Sequence, residues 1–181
     1  MVAAQLSEEA AAARNEELRA RFRHVYQDEV PFNGLIGMKV TRWDVDGVRF
    51  EVPFRDELAS HAETFHGGVL AALIDAAAGG AVLAGHDFAN GSRLSTVGMT
   101  VHYLSAAPRE DLVAEAVCTR RGRNLNYVHV DVVSSETRKP LAEGLVTCNM
   151  TSRTRTPKSG DHNDDVIPPG APAIVDSGAT Q

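Results

Sequence analysis

The order and patterning of the chain predict an α+β domain in which a curved antiparallel sheet wraps a long central apolar helix. Three observations carry that expectation. Residues 67 to 85, GGVLAALIDAAAGGAVLAG, hold a single charge, Asp75, and a helix that is apolar nearly all round has to be covered on almost every side. Four later segments, 94–104, 112–121, 125–134 and 140–150, have strand-like composition and are separated by turn residues at Pro108 to Asp111, Gly122 to Asn124 and Thr137 to Pro140. Ahead of the helix, Val48, Phe50, Val52 and Phe54 alternate with Arg49, Glu51 and Pro53, the period of a strand with one buried face.

Residues 7 to 27 are rich in helix formers, with Ser7 placed as an N-cap and Leu18, Phe22 and Val25 at helical spacing. Pro31, Gly34 and Gly37 interrupt that pattern. A hairpin follows, residues 36–43 pairing with 47–54 about a turn at Val45-Asp46-Gly47. The four later strands are expected to form an antiparallel meander. The last stretch carries Pro157, Pro168, Pro169 and Pro172 among glycines and charges with no period, which reads as a tail. The expected organisation is an N-terminal helical extension over 1–33, one domain over 34–151 and a flexible C-terminal tail over 152–181. One sheet cannot cover the whole apolar helix, so the remaining stripe calls for a second subunit.

With 181 residues, 43% of them hydrophobic and 23% charged, the chain has the material for one core plus extensions. Its 18 Lys and Arg against 24 Asp and Glu give a net charge of −6 with no dense basic cluster, which disfavours nucleic acid as a partner. Cys118 and Cys148 lack metal-ligand or redox spacing and read as two reduced core thiols. The first residues show no basic start followed by an apolar run, so a cytoplasmic location is expected. The 67–85 segment is about as long as a membrane span of roughly 20 residues. A carboxylate at its midpoint among glycines and alanines fits a buried core helix instead, so no membrane association is expected.

The chemistry concentrates in Ser60-His61-Ala62-Glu63-Thr64-Phe65-His66-Gly67-Gly68, which runs straight into the apolar helix. Two glycines at a helix start admit close approach of a ligand, and the free N–H groups at the positive end of the dipole favour an oxygen gaining negative charge. That is the chemistry of an oxyanion hole; tight helix packing is the alternative use of the pair. Asp75 is expected to be buried in mid-helix, where an ionised carboxylate needs a partner or a catalytic reason. A structural hydrogen bond and a general base or nucleophile both answer that need. On an ideal helix Asp75 lies about 13.5 Å along the axis from His66 and about 180° around it. If the glycine N–H groups and Asp75 act on one carbonyl, they come from different subunits with antiparallel helices at a two-fold interface.

The run His66-Gly67-Gly68-Val69-Leu70-Ala71-Ala72-Leu73-Ile74-Asp75, with six strand-like segments around it, resembles the hotdog-fold acyl-CoA thioesterases of the phenylacetic-acid-degradation (PaaI-like) type, over roughly residues 34 to 150. The resemblance implies a hotdog fold and hydrolysis of an aryl- or medium- to long-chain acyl-CoA, with coenzyme A part of the substrate and no separate cofactor. A homodimer is expected from the helix geometry, with a dimer alone and a dimer of dimers (homotetramer) both open at this point. By the same resemblance Gly67 supplies the oxyanion N–H, His66 and Gly68 help to hold substrate, and the partner's acid, Asp75, is nucleophile or base. Relatives often carry Asn or Gln where this chain has Ser60, and a hydroxyl residue on the strand after the helix often faces the acid. Family matching picks Thr96 for that hydroxyl, whereas strict alternation puts Ser95 on the face shared with Val97, Met99 and Val101. The turn holding Arg120, Arg121, Arg123 and Asn124 falls where relatives hold nucleotide phosphates, and Arg121, Arg123 and Asn124 are the expected contacts. His24, His61, His86, His102, His129 and His162 show no close ligand spacing, so no metal is expected. There is no Gly-x-Ser-x-Gly elbow. Two rivals share the fold: a hydratase or dehydratase using His61 and Glu63, and a non-catalytic acyl-CoA-binding regulator.

Overall fold

The computed structural model describes residues 2–60, 64–88 and 93–151. The expected tail over 152–181 and the candidate pair His61 and Glu63 lie outside the described residues. The first helix, α1, spans Val2–His24, so Ser7 sits within it and not at its cap. Its apolar positions Leu18 and Phe22 face the core, and Phe22 stacks on Phe88 with ring centroids 5.2 Å apart. A π-helical turn, Val25–Glu29, and a short helix α2, Pro31–Ile36, follow. The expected break at Pro31 is therefore a helix start, because proline at the first helical position gives up only an N–H with no intrahelical acceptor. Gly37 ends α2 in the left-handed region at φ +71°, where glycine carries no Cβ clash.

The hairpin forms as β1, Lys39–Asp44, and β2, Gly47–Val52. After a single 3₁₀ turn at Asp56–Leu58 comes the apolar helix α3, Gly67–Ala84, then β3 (Arg93–Tyr103), β4 (Leu112–Arg121), β5 (Leu125–Ser134) and β6 (Pro140–Thr151). All six strands form one antiparallel sheet in the order β1-β2-β4-β5-β6-β3. Strands β4, β5 and β6 make the expected meander, but β3 pairs with β6 and not with its chain neighbour β4. The 104–111 connection carries the chain past the ends of β6 and β5, and Leu104 N–H donates to Leu141 O at 2.9 Å on the way.

Helix α3 packs against every strand of this sheet, and Val48, Phe50, Val52, Leu73, Ile74, Val82 and Leu83 are fully buried between them. Gly80 lets the helix come down onto the hairpin: a Cβ there would meet Phe50 Cζ at 2.7 Å and Trp43 at 3.1 Å. The helix is long and apolar enough to cross a membrane, yet 67% of it is buried inside the protein, and it is a core helix. Its uncovered stripe runs through Gly68, Ala72, Asp75 and Ala76, at the helical spacing of one face. Beside that stripe β3 forms a sheet edge with no neighbour among the described residues.

Candidate active site

Functional side chains fall into two groups along α3. At its start, His66 is the N-cap, and its Nδ1 accepts the Gly68 N–H at 2.9 Å. That bond leaves the neutral imidazole's proton on Nε2. The Gly68 N–H is thereby engaged in the cap. Gly67, first in the helix, keeps an N–H with no intrahelical acceptor, while its carbonyl accepts from the Tyr103 hydroxyl at 3.0 Å. Ser60 lies on this side. Its Oγ pairs with Thr64 Oγ1 at 3.0 Å, and its N–H donates to Thr64 O at 2.6 Å, closing the loop that leads into the helix. A cleft of about 380 Å³ opens here between Gly67, Leu70, Tyr103 and Ala107.

The second group lies in mid-helix. Asp75 is exposed in the single chain, which corrects the expectation of a buried carboxylate: the sheet and α1 cover α3 on the other sides and leave its one charge in water. Thr96 Oγ1 donates to Asp75 Oδ1 at 2.7 Å, so one carboxylate oxygen is fixed and the other is open. Thr96 and not Ser95 faces the acid because the β3–β6 register shifts between Thr96 and Gly98. Thr96 pairs with Cys148, Met99 with Val146 and Val101 with Gly144, so the bulge at Val97 lets Thr96 share the helix-facing side with Met99 and Val101. Cys148, beside Thr96, is no competing nucleophile: burial pushes its thiol up to about 11, leaving little thiolate at neutral pH. Both cysteines are free. A separate cleft of about 390 Å³ opens at Asp75, between α3 and residues 26–33. Along the helix Gly67 and Asp75 stand about 12 Å apart.

Three of the remaining predicted residues occupy the β4–β5 turn at the far end of α3. Arg121 does not point to a ligand: Nη1 donates to Val82 O at 2.8 Å, and Nη2 to Ala81 O at 2.9 Å and Val45 O at 3.4 Å. A cation on the last carbonyls of a helix is a stabilising cap, and that is the role these bonds give Arg121. Asn124 Nδ2 donates to Met150 O at 3.2 Å, and Arg123 is exposed. Arg121→Ala is therefore expected to lower stability by about 1.5–3 kcal/mol, the scale of hydrogen bonds from a charged donor, with KM unchanged. Thermal melts beside steady-state kinetics check this.

Neither Tyr103 at Gly67 nor Tyr26 at the Asp75 cleft carries a local sequence signal, since both contacts arise from long-range packing. Strand pairing also assembles His129, Asp131 and Glu143 with ligand atoms within 4.8 Å of one another on the outer sheet face. No sequence spacing reveals that group, because Glu143 comes from the neighbouring strand. Two of its carboxylates have histidine neighbours: His102 Nδ1 lies 2.9 Å from Glu143 Oε1, and His129 Nδ1 lies 3.6 Å from Asp131 Oδ2.

Comparison with known proteins bears on the fold and the α3 region. A sequence model of the thioesterase superfamily matches residues 62–141. A Halobacterium salinarum protein whose name gives esterase as a provisional assignment is 30% identical over 112 residues, covering 60% of this chain and 74% of its own. A Shewanella oneidensis protein related to the thioesterase superfamily superposes with a TM-score of 0.67 at 25% identity, over 75% of this chain and 97% of that one. Thioesterase superfamily member 2 of Mus musculus shares the fold, with a TM-score of 0.62 at 23% identity over 72% and 95% of the two chains. With the helix-wrapped sheet and the His66-Gly67-Gly68 start of its central helix, the chain belongs to the thioesterase superfamily and has the hotdog fold.

Proposed function

We propose that the protein is an acyl-CoA thioesterase of the PaaI-like type, acting as a homodimer with each site shared between two chains. One observation carries the reading: the Gly67 donor and the Thr96-held Asp75 lie on the same helix yet open into two different clefts. Both flank the edge strand β3, where Val97, Met99 and Tyr103 are 57%, 41% and 57% exposed. An unpaired edge of this length is a template for a second strand. Two-fold pairing of β3 with its copy sets the two α3 helices antiparallel, so that one chain's Gly67 cleft meets the other's Asp75 cleft. Exposed Val117, Tyr127 and Leu145 on the outer sheet face support a further pairing of dimers into a tetramer.

In this mechanism the thioester carbonyl oxygen rests on the Gly67 N–H of one subunit. Asp75 of the other takes a proton from water, and the water oxygen attacks the carbonyl carbon. The negative charge that develops on the carbonyl oxygen meets the helix N-terminus, where it is stabilised most. The tetrahedral species collapses, the carbon–sulfur bond breaks, and the coenzyme A sulfur leaves with the proton. Direct attack by Asp75 through a mixed anhydride is the variant of this step, and label found in Asp75 after a single turnover in oxygen-labelled water identifies it, with water adding to the Asp75 carboxyl carbon of the anhydride. Arg123 is left to meet nucleotide phosphates, and coenzyme A enters only as part of the substrate. The two free cysteines suit a reducing, cytoplasmic setting.

Free thiol release from a panel of acyl-CoAs by the purified protein tests the reading. Turnover of at least one acyl-CoA with coenzyme A as product is expected. Tight acyl-CoA binding with no thiol released would make the protein a binding module instead.

A further inference from the structure

We infer that Tyr26, from the N-terminal extension, is the end wall of the acyl pocket and sets the upper limit on acyl size. This rests on the thioesterase reading of Asp75 and adds the substrate class to it. The Asp75 cleft is built from three parts of the chain: Tyr26 and Phe32 from the extension, Ala72, Asp75 and Gly79 from α3, and Thr96 from β3. Apart from Asp75, the helical positions facing it, Ala72, Ala76 and Gly79, carry at most a methyl group, and their spacing puts them on one side of the helix. The helix wall of this cleft is therefore little more than the α3 backbone, and its other walls are β3, through Leu94, Ser95 and Thr96, and whatever the extension lays against it.

What the extension lays there is Tyr26. Its hydroxyl lies directly on Gly79, where any Cβ would collide with it. Its ring is held by Trp43 at 5.8 Å and Phe50 at 6.0 Å between centroids, so the wall is fixed by aromatic packing from the β1–β2 hairpin. Leu94 closes the other side of Gly79, with Cδ2 3.2 Å from where a Cβ would stand. Burial holds the phenol neutral, well above its ordinary range, and the Asp75 carboxylate adds to that. The pocket end is thus uncharged and suits an apolar group.

Distance then limits what fits. Asp75 and Gly79 are one turn apart, about 6 Å along the axis. An acyl group whose carbonyl carbon sits at Asp75 and which runs toward Gly79 meets the Tyr26 ring after about that length. A short chain or a single ring fits between them; a medium or long chain does not. Phe32, 53% exposed, forms the outer rim. Residues 26–33 belong to the N-terminal extension and lie outside the 62–141 stretch that the superfamily model matches.

The test is kcat/KM for straight-chain saturated acyl-CoAs from short to long, measured on the full-length wild type, Tyr26→Ala, Tyr26→Phe and Ala76→Leu. The wild type should lose activity steeply beyond a short chain. Tyr26→Ala should move the cut-off to longer chains, with at least a tenfold relative gain on a substrate the wild type rejects, since each misfitting methylene is worth about tenfold or more. Tyr26→Phe keeps the ring and should keep the cut-off. Ala76→Leu fills the cleft from the half-exposed helix side and should move the cut-off to shorter chains, which keeps the test decisive if Tyr26→Ala does not fold. An unchanged chain-length profile in folded Ala76→Leu or Tyr26→Ala overturns the inference while leaving the thioesterase reading intact. A wild type that hydrolyses neither these substrates nor an aryl-CoA overturns both.

Discussion

Asp75→Asn is expected to lower turnover at least about a hundredfold, the scale of a positioned acid or base, while the fold and assembly survive. The carboxylate is exposed in the single chain, and the Thr96 hydroxyl donates to it at 2.7 Å. The amide that replaces it keeps an oxygen to accept that hydroxyl. No buried partner is orphaned, so the change in stability stays within about 0.5 kcal/mol, as at other surface sites. The amide cannot take a proton from water or attack a carbonyl, which is where the loss arises. Thiol-release kinetics beside a melting curve separate the two effects. Near-normal turnover in a correctly assembled Asp75→Asn protein would remove Asp75 from the mechanism.

Strand positions were legible because alternation is a local property: burial of Val48, Phe50 and Val52 at 0% each follows directly from period two. The core helix was legible from its lack of charge. Three features were not, and each depends on what lies far away in sequence. The position of β3 beside β6 is set by a crossing connection, and element order alone suggests pairing with β4. The bulge at Val97 reverses the alternation in mid-strand, so the same residues read as a regular strand put Ser95 where Thr96 stands. Asp75 seemed buried because its helix is apolar all round, yet a single sheet leaves one stripe open, and the charge lies in that stripe. Arg121 shows the same limit at the site: an arginine-rich turn looks like a phosphate contact until the C-terminal carbonyls of α3 are found against it. The separation of Gly67 from Asp75 needed only the rise of a helix, and it led from sequence to the idea of a shared site.

The most direct test of that idea joins two inactive proteins. Gly67→Val puts a branched side chain where even a Cβ would stand 3.3 Å from the Tyr103 ring, displacing the oxyanion donor; losing such a donor costs about 10²–10³ in kcat. Asp75→Asn removes the acid. Each homodimer then has both sites defective. In a mixed dimer one site collects both lesions and the other collects neither, because the intact Gly67 and the intact Asp75 face each other across the interface. Unfolding the two variants together in equal amounts and refolding them makes about half the dimers mixed, each with one good site of two, so about a quarter of wild-type activity should return. If native mass measurement shows that mixed dimers have formed and the activity stays at the level of the parents, each chain carries its own complete site and the shared-site account is wrong.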